Sequence, residues 1–110
     1  MIDKKKFYIN GQWVSPKNPK EIQVIDPATE KNCAVISLAG AEDVNAAVTA
    51  AKKAFETWEF TSKEERVKLL EDLYVLYKKR WADIAEAITL EMGAPKDFSS
   101  QLQTGTGASH

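Results

Sequence analysis

The chain has 110 residues, 44% of them hydrophobic, and its 15 basic and 16 acidic side chains give a net charge of −1. This composition excludes a disordered tail, and the balanced charge provides no overall attraction to nucleic acid or to an anionic membrane. One cysteine and one histidine are too few for an internal disulfide or an ordinary structural zinc site. No apolar segment suits a signal peptide or a membrane span, so we expect a soluble, cytoplasmic chain with no nucleic-acid or membrane partner.

The N-terminal third is predicted to form strands. Residues 7–14 have β-formers on both sides of Asn10-Gly11, the pair best suited to the positive φ angles of a type I′ turn, and they predict a hairpin. Residues 21–25 alternate like a half-buried strand, which ends at Asp26-Pro27. Residues 33–38 are rich in β-branched side chains and predict a further strand.

From Gly40 the spacing of apolar residues changes to three or four, which predicts an amphipathic helix. Glu42 and Asp43 lie in its first turn, where negative side chains favour the positive end of the helix dipole. The apolar face is formed by Val44, Ala47, Val48, Ala51, Phe55 and Trp58.

A second helical stretch is predicted to begin at Ser62, because Ser62 and Glu65 have the spacing of a capping box. It ends at Gly93, a predicted C′ residue, and Pro95 prevents extension. Its apolar stripe consists of Leu70, Leu73, Tyr77, Trp81, Ile84, Ile88 and Met92.

The length of this second stretch leaves two interpretations open. About 30 residues is long for a helix in a globular protein, so residues 63–92 form either one helix or two helices with a break at residues 80–83. Residues 97–103 then predict the opening of another helix.

Cys33 is the first candidate for a nucleophile. Neither a neighbouring base nor a helix N-terminus accompanies it in the sequence, and both would be expected for an activated thiol. It lies in a β-forming run, where cysteine usually acts as a small buried hydrophobe. His110 is the last residue and is predicted to be mobile, which argues against a Cys33–His110 pair. We therefore interpret Cys33 as a packing residue.

Three other patterns have structural interpretations. Gly105-Thr106-Gly107 lacks the third glycine and the preceding strand of a dinucleotide-binding fingerprint. Acidic residues on the polar helix faces predict solvated charge rather than a carboxylate active site, and they are Glu59, Glu64, Glu65, Glu71 and Asp72. Aromatic residues at helical spacing predict anchors between helices rather than a base-stacking platform, and they are Phe55, Trp58, Tyr74, Tyr77 and Trp81.

Five segments, taken together and in order, resemble the start of an aldehyde dehydrogenase. They are YINGQW at residues 8–13, IDPATE at 25–30, EDV with AAV, AF and W within 42–58, ER with LL within 65–70, and LEMGAP at 90–95. The resemblance covers nearly the whole chain. Asp26 stands where the family commonly has asparagine before the proline, and the two residues have similar turn chemistry.

The resemblance implies an α+β segment, with a β-hairpin and strands followed by amphipathic helices. Residues 1–110 would be the N-terminal portion of a cofactor-binding domain, β-rich over 1–39 and helical over 40–110, and incomplete as a domain. The parent enzyme would be several times longer and would oxidise an aldehyde to a carboxylic acid with NAD or NADP and a cysteine thiolate.

The resemblance places the catalytic and nucleotide-binding residues of such an enzyme beyond His110, so it implies none in this chain. We expect the chain to be inactive alone, with no bound cofactor, and to associate with the remainder of the enzyme or with itself. The alternative is a free-standing α+β interaction module that binds a partner through its apolar helix faces.

The resemblance also implies a monovalent cation site, for sodium or potassium, that is only half present here. Its ligands would be the carbonyl oxygens of Val24 and Ile25 and the carboxylate of Glu91. Hard cations prefer oxygen ligands, and the end of a helix is already negative. Glu91 stands where the family often has aspartate, and its extra methylene could place a water between carboxylate and ion. The alternative is that Glu91 is a solvated or salt-bridged acid, and we expect weak or no occupancy in the chain alone.

Overall fold

The computed structural model describes residues 1–110, which divide into two compact units. Unit 1 comprises Met1–Val24 and Asn32–Thr61, and unit 2 comprises Ile25–Lys31 and Ser62–His110. The strands are β1 (Ile2–Lys4), β2 (Phe7–Ile9), β3 (Gln12–Val14), β4 (Lys20–Asp26) and β5 (Lys31–Leu38). The helices are α1 (Ala41–Trp58), α2 (Lys63–Lys79), α3 (Trp81–Met92), α4 (Lys96–Phe98) and α5 (Thr104–Ser109), with a π-helical turn at Ser99–Gln103.

The predicted hairpin is confirmed in unit 1. Strands β2 and β3 are antiparallel, with Ile9 opposite Gln12 across the turn. Asn10 and Gly11 have φ angles of 53° and 76°, as a type I′ turn requires at both central positions. The turn therefore follows directly from the Asn-Gly pair.

A three-stranded sheet has the order β1, β5, β4. β1 runs parallel to β5, with Ile2 opposite Ala34 and Lys4 opposite Ile36. Ala34 and Val35 of β5 are buried. The strand β1 was not predicted, because three residues leading into a lysine run carry no periodicity of their own.

Asp43 has a larger role in unit 1 than its predicted effect on the helix dipole. It is only 4% exposed, and its two carboxylate oxygens accept hydrogen bonds from the backbone N–H groups of Lys17 and Gly40, both at 3.0 Å. One bond satisfies an N–H at the start of α1. The other fixes the loop between β3 and β4 to that helix end.

In unit 2, the predicted capping box opens α2. The Ser62 N–H donates to Glu65 Oε2 at 2.7 Å, and the Glu65 N–H donates to Ser62 Oγ at 3.1 Å. α2 and α3 are separate helices, because Arg80 leaves helical geometry at φ −100° and ψ 11°. The break falls within the predicted range, and α3 then ends at Gly93 in the predicted left-handed conformation, with φ 69°.

The predicted C-terminal helix forms, but with a π-helical turn in its middle. An extra residue in a helical turn disturbs the i to i+4 bonding and leaves carbonyls that need other partners. Trp81 Nε1–H donates to the Ser100 carbonyl at 3.0 Å, and the Thr104 hydroxyl donates to the Ser99 carbonyl at 2.8 Å. Side chains therefore stabilise this turn, and both Ser99 and Thr104 are fully buried.

The aromatic residues predicted to anchor the helices differ in how closely they pack. Tyr77 and Trp81 pack edge to face at 6.0 Å between ring centroids, as the anchor prediction requires. Phe55, Trp58 and Tyr74 are 56%, 42% and 45% exposed, so within this chain they are only partly covered and their role as anchors stays a prediction. Helical spacing identifies an apolar face, but it does not supply the residues that would cover that face.

The predicted fold class is confirmed, since all strands precede residue 39 and all helices follow residue 40. None of the helices combines the length and the apolar character needed to cross a bilayer.

Candidate functional site

The turn from Asp26 to Glu30 is held by the Asp26 side chain. Asp26 Oδ1 accepts from the Ala28 N–H and Oδ2 accepts from the Thr29 hydroxyl, both at 2.8 Å. The Ala28 bond first, and the Thr29 bond second, lower the pKa of Asp26 below its ordinary value of 3.8. Asparagine commonly makes the same backbone bond in such turns, which explains why aspartate replaces it here.

This turn packs against the end of α3 within unit 2. Gly93 has a positive φ, and a Cβ added to it would lie 2.9 Å from Pro27 Cγ. Real Cβ atoms do not approach a ring carbon so closely, so the position requires glycine for two reasons. The contact brings the segment after Ile25 next to the helix end that carries Glu91.

Glu91 is available for a ligand. It lies in the last turn of α3, is exposed, and makes no hydrogen bond or salt bridge. No basic residue lies in that turn, so no positive side chain offsets the negative end of the helix dipole. A cation bound at Glu91 would supply this missing positive charge.

The two predicted carbonyl ligands have different surroundings. Val24 belongs to unit 1, and its carbonyl oxygen accepts a hydrogen bond from the Cys33 thiol at 3.3 Å. Ile25 belongs to unit 2, with Glu91. No group of three or more His, Cys, Asp or Glu side chains is positioned to hold a metal. A cation here would therefore depend on backbone oxygens and on further ligands.

Cys33 lies in β5, as predicted, beside the buried residues Ala34 and Val35. It is a half-buried free thiol whose hydrogen bond goes to a backbone carbonyl rather than to a base. This environment fits a packing residue.

The glycines Gly105 and Gly107 lie inside α5, and only Gly107 serves close packing. A Cβ at Gly107 would overlap Tyr77 Oη, whereas a Cβ at Gly105 would lie 3.9 Å from the Trp81 ring, an ordinary van der Waals contact. Tyr77 Oη donates to the Thr104 carbonyl at 3.0 Å. Gly107 therefore lets the C-terminal helix approach Tyr77.

Two polar groups have roles beyond those predicted from the sequence. Asp43 stands three residues after Gly40, a spacing that indicates an N-terminal cap once the preceding loop is considered. Thr89 Oγ1 donates to Ser99 Oγ at 2.9 Å, and no sequence pattern links these two hydroxyls. Two of the acidic residues on the polar helix faces have partners. Glu65 caps α2, and Asp72 pairs with Lys68.

Comparison with known proteins places these features in a family. The family model described as "Aldehyde dehydrogenase family" matches residues 13–109. A 3-succinoylsemialdehyde-pyridine dehydrogenase from a Pseudomonas species is 47% identical over the whole chain, which covers 23% of that protein. A putative aldehyde dehydrogenase from Staphylococcus epidermidis is 42% identical, and its match covers 96% of the chain and 22% of that protein.

Solved structures agree with the sequence comparison. A Bartonella henselae aldehyde dehydrogenase matches the whole chain with a TM-score of 0.98 and 51% identity, and the match covers 23% of that structure. A Pseudomonas syringae aldehyde dehydrogenase, in complex with NAD⁺ and octanal, matches 94% of the chain with a TM-score of 0.92 and 39% identity, and 21% of that structure is covered.

The chain thus spans about a quarter of the length of the relatives it matches. The prediction of an N-terminal aldehyde dehydrogenase segment is confirmed by the family match and by this partial coverage. The chain belongs to the aldehyde dehydrogenase family.

Proposed function

We propose that this chain is the N-terminal part of an enzyme that oxidises an aldehyde to a carboxylic acid with NAD or NADP, and that it has no dehydrogenase activity alone. The observation that carries the proposal is a near-identical fold over only 23% of a solved family member. The chain would contribute the N-terminal strands and helices of the cofactor-binding domain.

Exposed apolar surface supports this role. No residue of α2 is buried, and Leu70 and Leu73 of its stripe are 63% and 58% exposed. Burying one such leucine gains about 1.5–3 kcal/mol, so the face of α2 would associate strongly with a matching surface. We assign the remainder of the enzyme as its partner, with self-association as the outcome when the chain is alone.

The relatives guide the choice of cofactor. NAD⁺ accompanies octanal in the Pseudomonas syringae structure and is also bound in a Bacillus cereus aldehyde dehydrogenase structure, which is 32% identical to this chain. We therefore favour NAD as the cofactor. Water supplies the oxygen of the acid, and the hydride passes to the nicotinamide.

The near-zero net charge supports neither nucleic acid nor membrane as a partner. We accordingly assign the enzyme to the cytoplasm.

The test compares this chain with a longer polypeptide that adds the family's remaining length. Each is incubated with octanal and with NAD⁺ or NADP⁺, and reduced cofactor is followed by its absorbance. We expect turnover only from the longer polypeptide. Turnover by the 110 residues alone, or none by the longer polypeptide with any aldehyde, would contradict the proposal.

We further propose that the longer enzyme holds sodium or potassium within unit 2, at Glu91 with the carbonyl oxygen of Ile25. An exposed, unpaired carboxylate at an uncompensated helix end supports it.

The cation is tested by melting the longer enzyme in sodium, potassium or tetramethylammonium chloride at equal ionic strength. A ligand that binds only the folded state raises Tm. The ion-specific rise should be present in the wild type and in the Glu86→Gln control, whose exposed carboxylate lies on the same helix, and absent in Glu91→Gln. A wild type without the rise, or a Glu91→Gln variant that retains it, would refute the site.

A further inference from the structure

The tip of the β2–β3 hairpin has an arrangement that the proposed function does not use. Asn10 and Gly11 are both exposed, and neither the Asn10 side-chain amide nor the Gly11 N–H makes a hydrogen bond. Nothing lies within 4 Å of the position where a Gly11 Cβ would be. A carboxamide and a backbone nitrogen thus lie next to each other, unbonded and unshielded.

We propose that Asn10 is a site of spontaneous deamidation. The backbone nitrogen of Gly11 attacks Cγ of Asn10, the Cγ–Nδ2 bond breaks, and ammonia leaves as a five-membered succinimide forms. Water then opens either ring carbonyl and gives aspartate or isoaspartate. One water is consumed and one ammonia is released, with no oxidant or reductant.

The other three asparagines lack this arrangement. Asn18 precedes Pro19, which has no backbone N–H, and its Nδ2 donates to Glu42 at 3.3 Å. Asn32 lies in β5 and Asn45 lies in α1, where the backbone is held in regular structure. A hairpin tip opens locally at a lower free energy than a strand or helix interior, so Asn10 reaches the ring-closing geometry more often.

The two products affect unit 1 differently. Isoaspartate inserts a methylene into the backbone of a two-residue turn, which destroys the pairing of Ile9 with Gln12. Aspartate fits the turn but adds a negative charge to an open cavity of about 610 Å³, whose lining includes Asn10, Lys17 and Lys53. Deamidation therefore changes either the hairpin or the charge of this cavity.

The experiment incubates the folded 110-residue chain at mildly alkaline pH and follows all four asparagines by peptide mass spectrometry. Local opening of the tip should make Asn10 react at least about tenfold faster than Asn32 and Asn45. The same chain unfolded in urea gives the deamidation rate of each asparagine in the absence of folded structure. An Asn10→Gly variant keeps a turn with two positive φ angles but has no side-chain amide at position 10. Ammonia that the wild type releases and this variant does not is therefore assigned to Asn10.

Comparable rates at Asn10, Asn32 and Asn45 would overturn the proposal. So would an intact Asn10 in the folded chain over a time in which the urea-unfolded chain converts there. Amide exchange adds an independent readout, because isoaspartate-containing chains should lose protection in β2 and β3, whereas an Asn10→Asp variant should retain it.

Discussion

Replacing Gly107 by alanine tests whether the C-terminal helix depends on close approach to Tyr77. The new Cβ would lie 2.4 Å from Tyr77 Oη and 3.2 Å from Cζ. The tyrosine ring is rigid, and its hydroxyl is bound to the Thr104 carbonyl. Either the ring or the helix must therefore move.

The expected cost follows from three terms. Alanine gains up to about 1 kcal/mol over glycine in a helix. Overpacking costs about 1–3 kcal/mol, and loss of the bond from Tyr77 to Thr104 costs about 1 kcal/mol. Gly107→Ala should therefore lower the free energy of unfolding by about 1–3 kcal/mol.

Gly105→Ala is the matched control in the same helix. Its Cβ would meet the Trp81 ring at 3.9 and 4.0 Å, which is ordinary van der Waals contact. Only the higher helix propensity of alanine over glycine remains, so this variant should be neutral or more stable by up to about 1 kcal/mol.

The measurement is urea unfolding at one low protein concentration, combined with amide exchange of residues 99–109. A second background, Tyr77→Phe, removes Oη and leaves Cζ as the nearest ring atom. The cost of Gly107→Ala should be smaller there, as a double-mutant cycle would show. The reasoning is refuted if both alanine variants behave alike, or if removing Oη does not reduce the cost.

Ser62→Ala removes the acceptor of the Glu65 N–H and should lower stability by about 1 kcal/mol, seen as a lower urea midpoint; an unchanged midpoint would show that the cap contributes little. The backbone N–H of Ser62 first, then its hydroxyl, lower the pKa of Glu65 below its ordinary 4.5. The resulting stabilisation is complete above that value and is lost as the pH falls through the folded-state pKa, so Glu65→Gln should flatten the acid limb of the far-UV circular dichroism. Gly93→Ala combines an unfavourable φ with an overlap on Pro27 and should destabilise by about 1–3 kcal/mol, while Gly93→Asn, which tolerates the φ, should retain the overlap cost. In the longer enzyme, Cys33→Ala should change kcat/KM by less than about tenfold, or 1.4 kcal/mol; a larger loss without unfolding would make Cys33 a functional residue.

The elements predicted correctly are those fixed by a few neighbouring residues. Asn10-Gly11 sets the hairpin turn, Ser62 and Glu65 bond to each other at the start of α2, and Gly93 adopts a conformation that other residues resist. In each case the donor and acceptor lie within four residues, so a short window of sequence contains the whole interaction.

The features that were missed depend on residues distant in sequence. β1 is a strand because it pairs with residues about thirty positions later, as Ile2 does with Ala34. The π-helical turn needs the Trp81 indole, nineteen residues before the Ser100 carbonyl that it binds. Neither partner can be identified from local periodicity, which reports the shape of an element and not its neighbours.

The distinction between local and distant interactions also bears on the stability of the isolated chain. Turns and helix ends are satisfied within the chain, whereas the buried apolar residues are only Ala34, Val35 and Ala85. These three side chains are small, so half-buried residues such as Tyr77, Trp81 and Ile84 supply much of the hydrophobic free energy of the chain. Covering an exposed face such as that of α2, which has no buried residue, would add further stability. Under the proposed function, the exposed apolar side chains of α2 would pack against parts of the enzyme beyond the quarter that this chain spans.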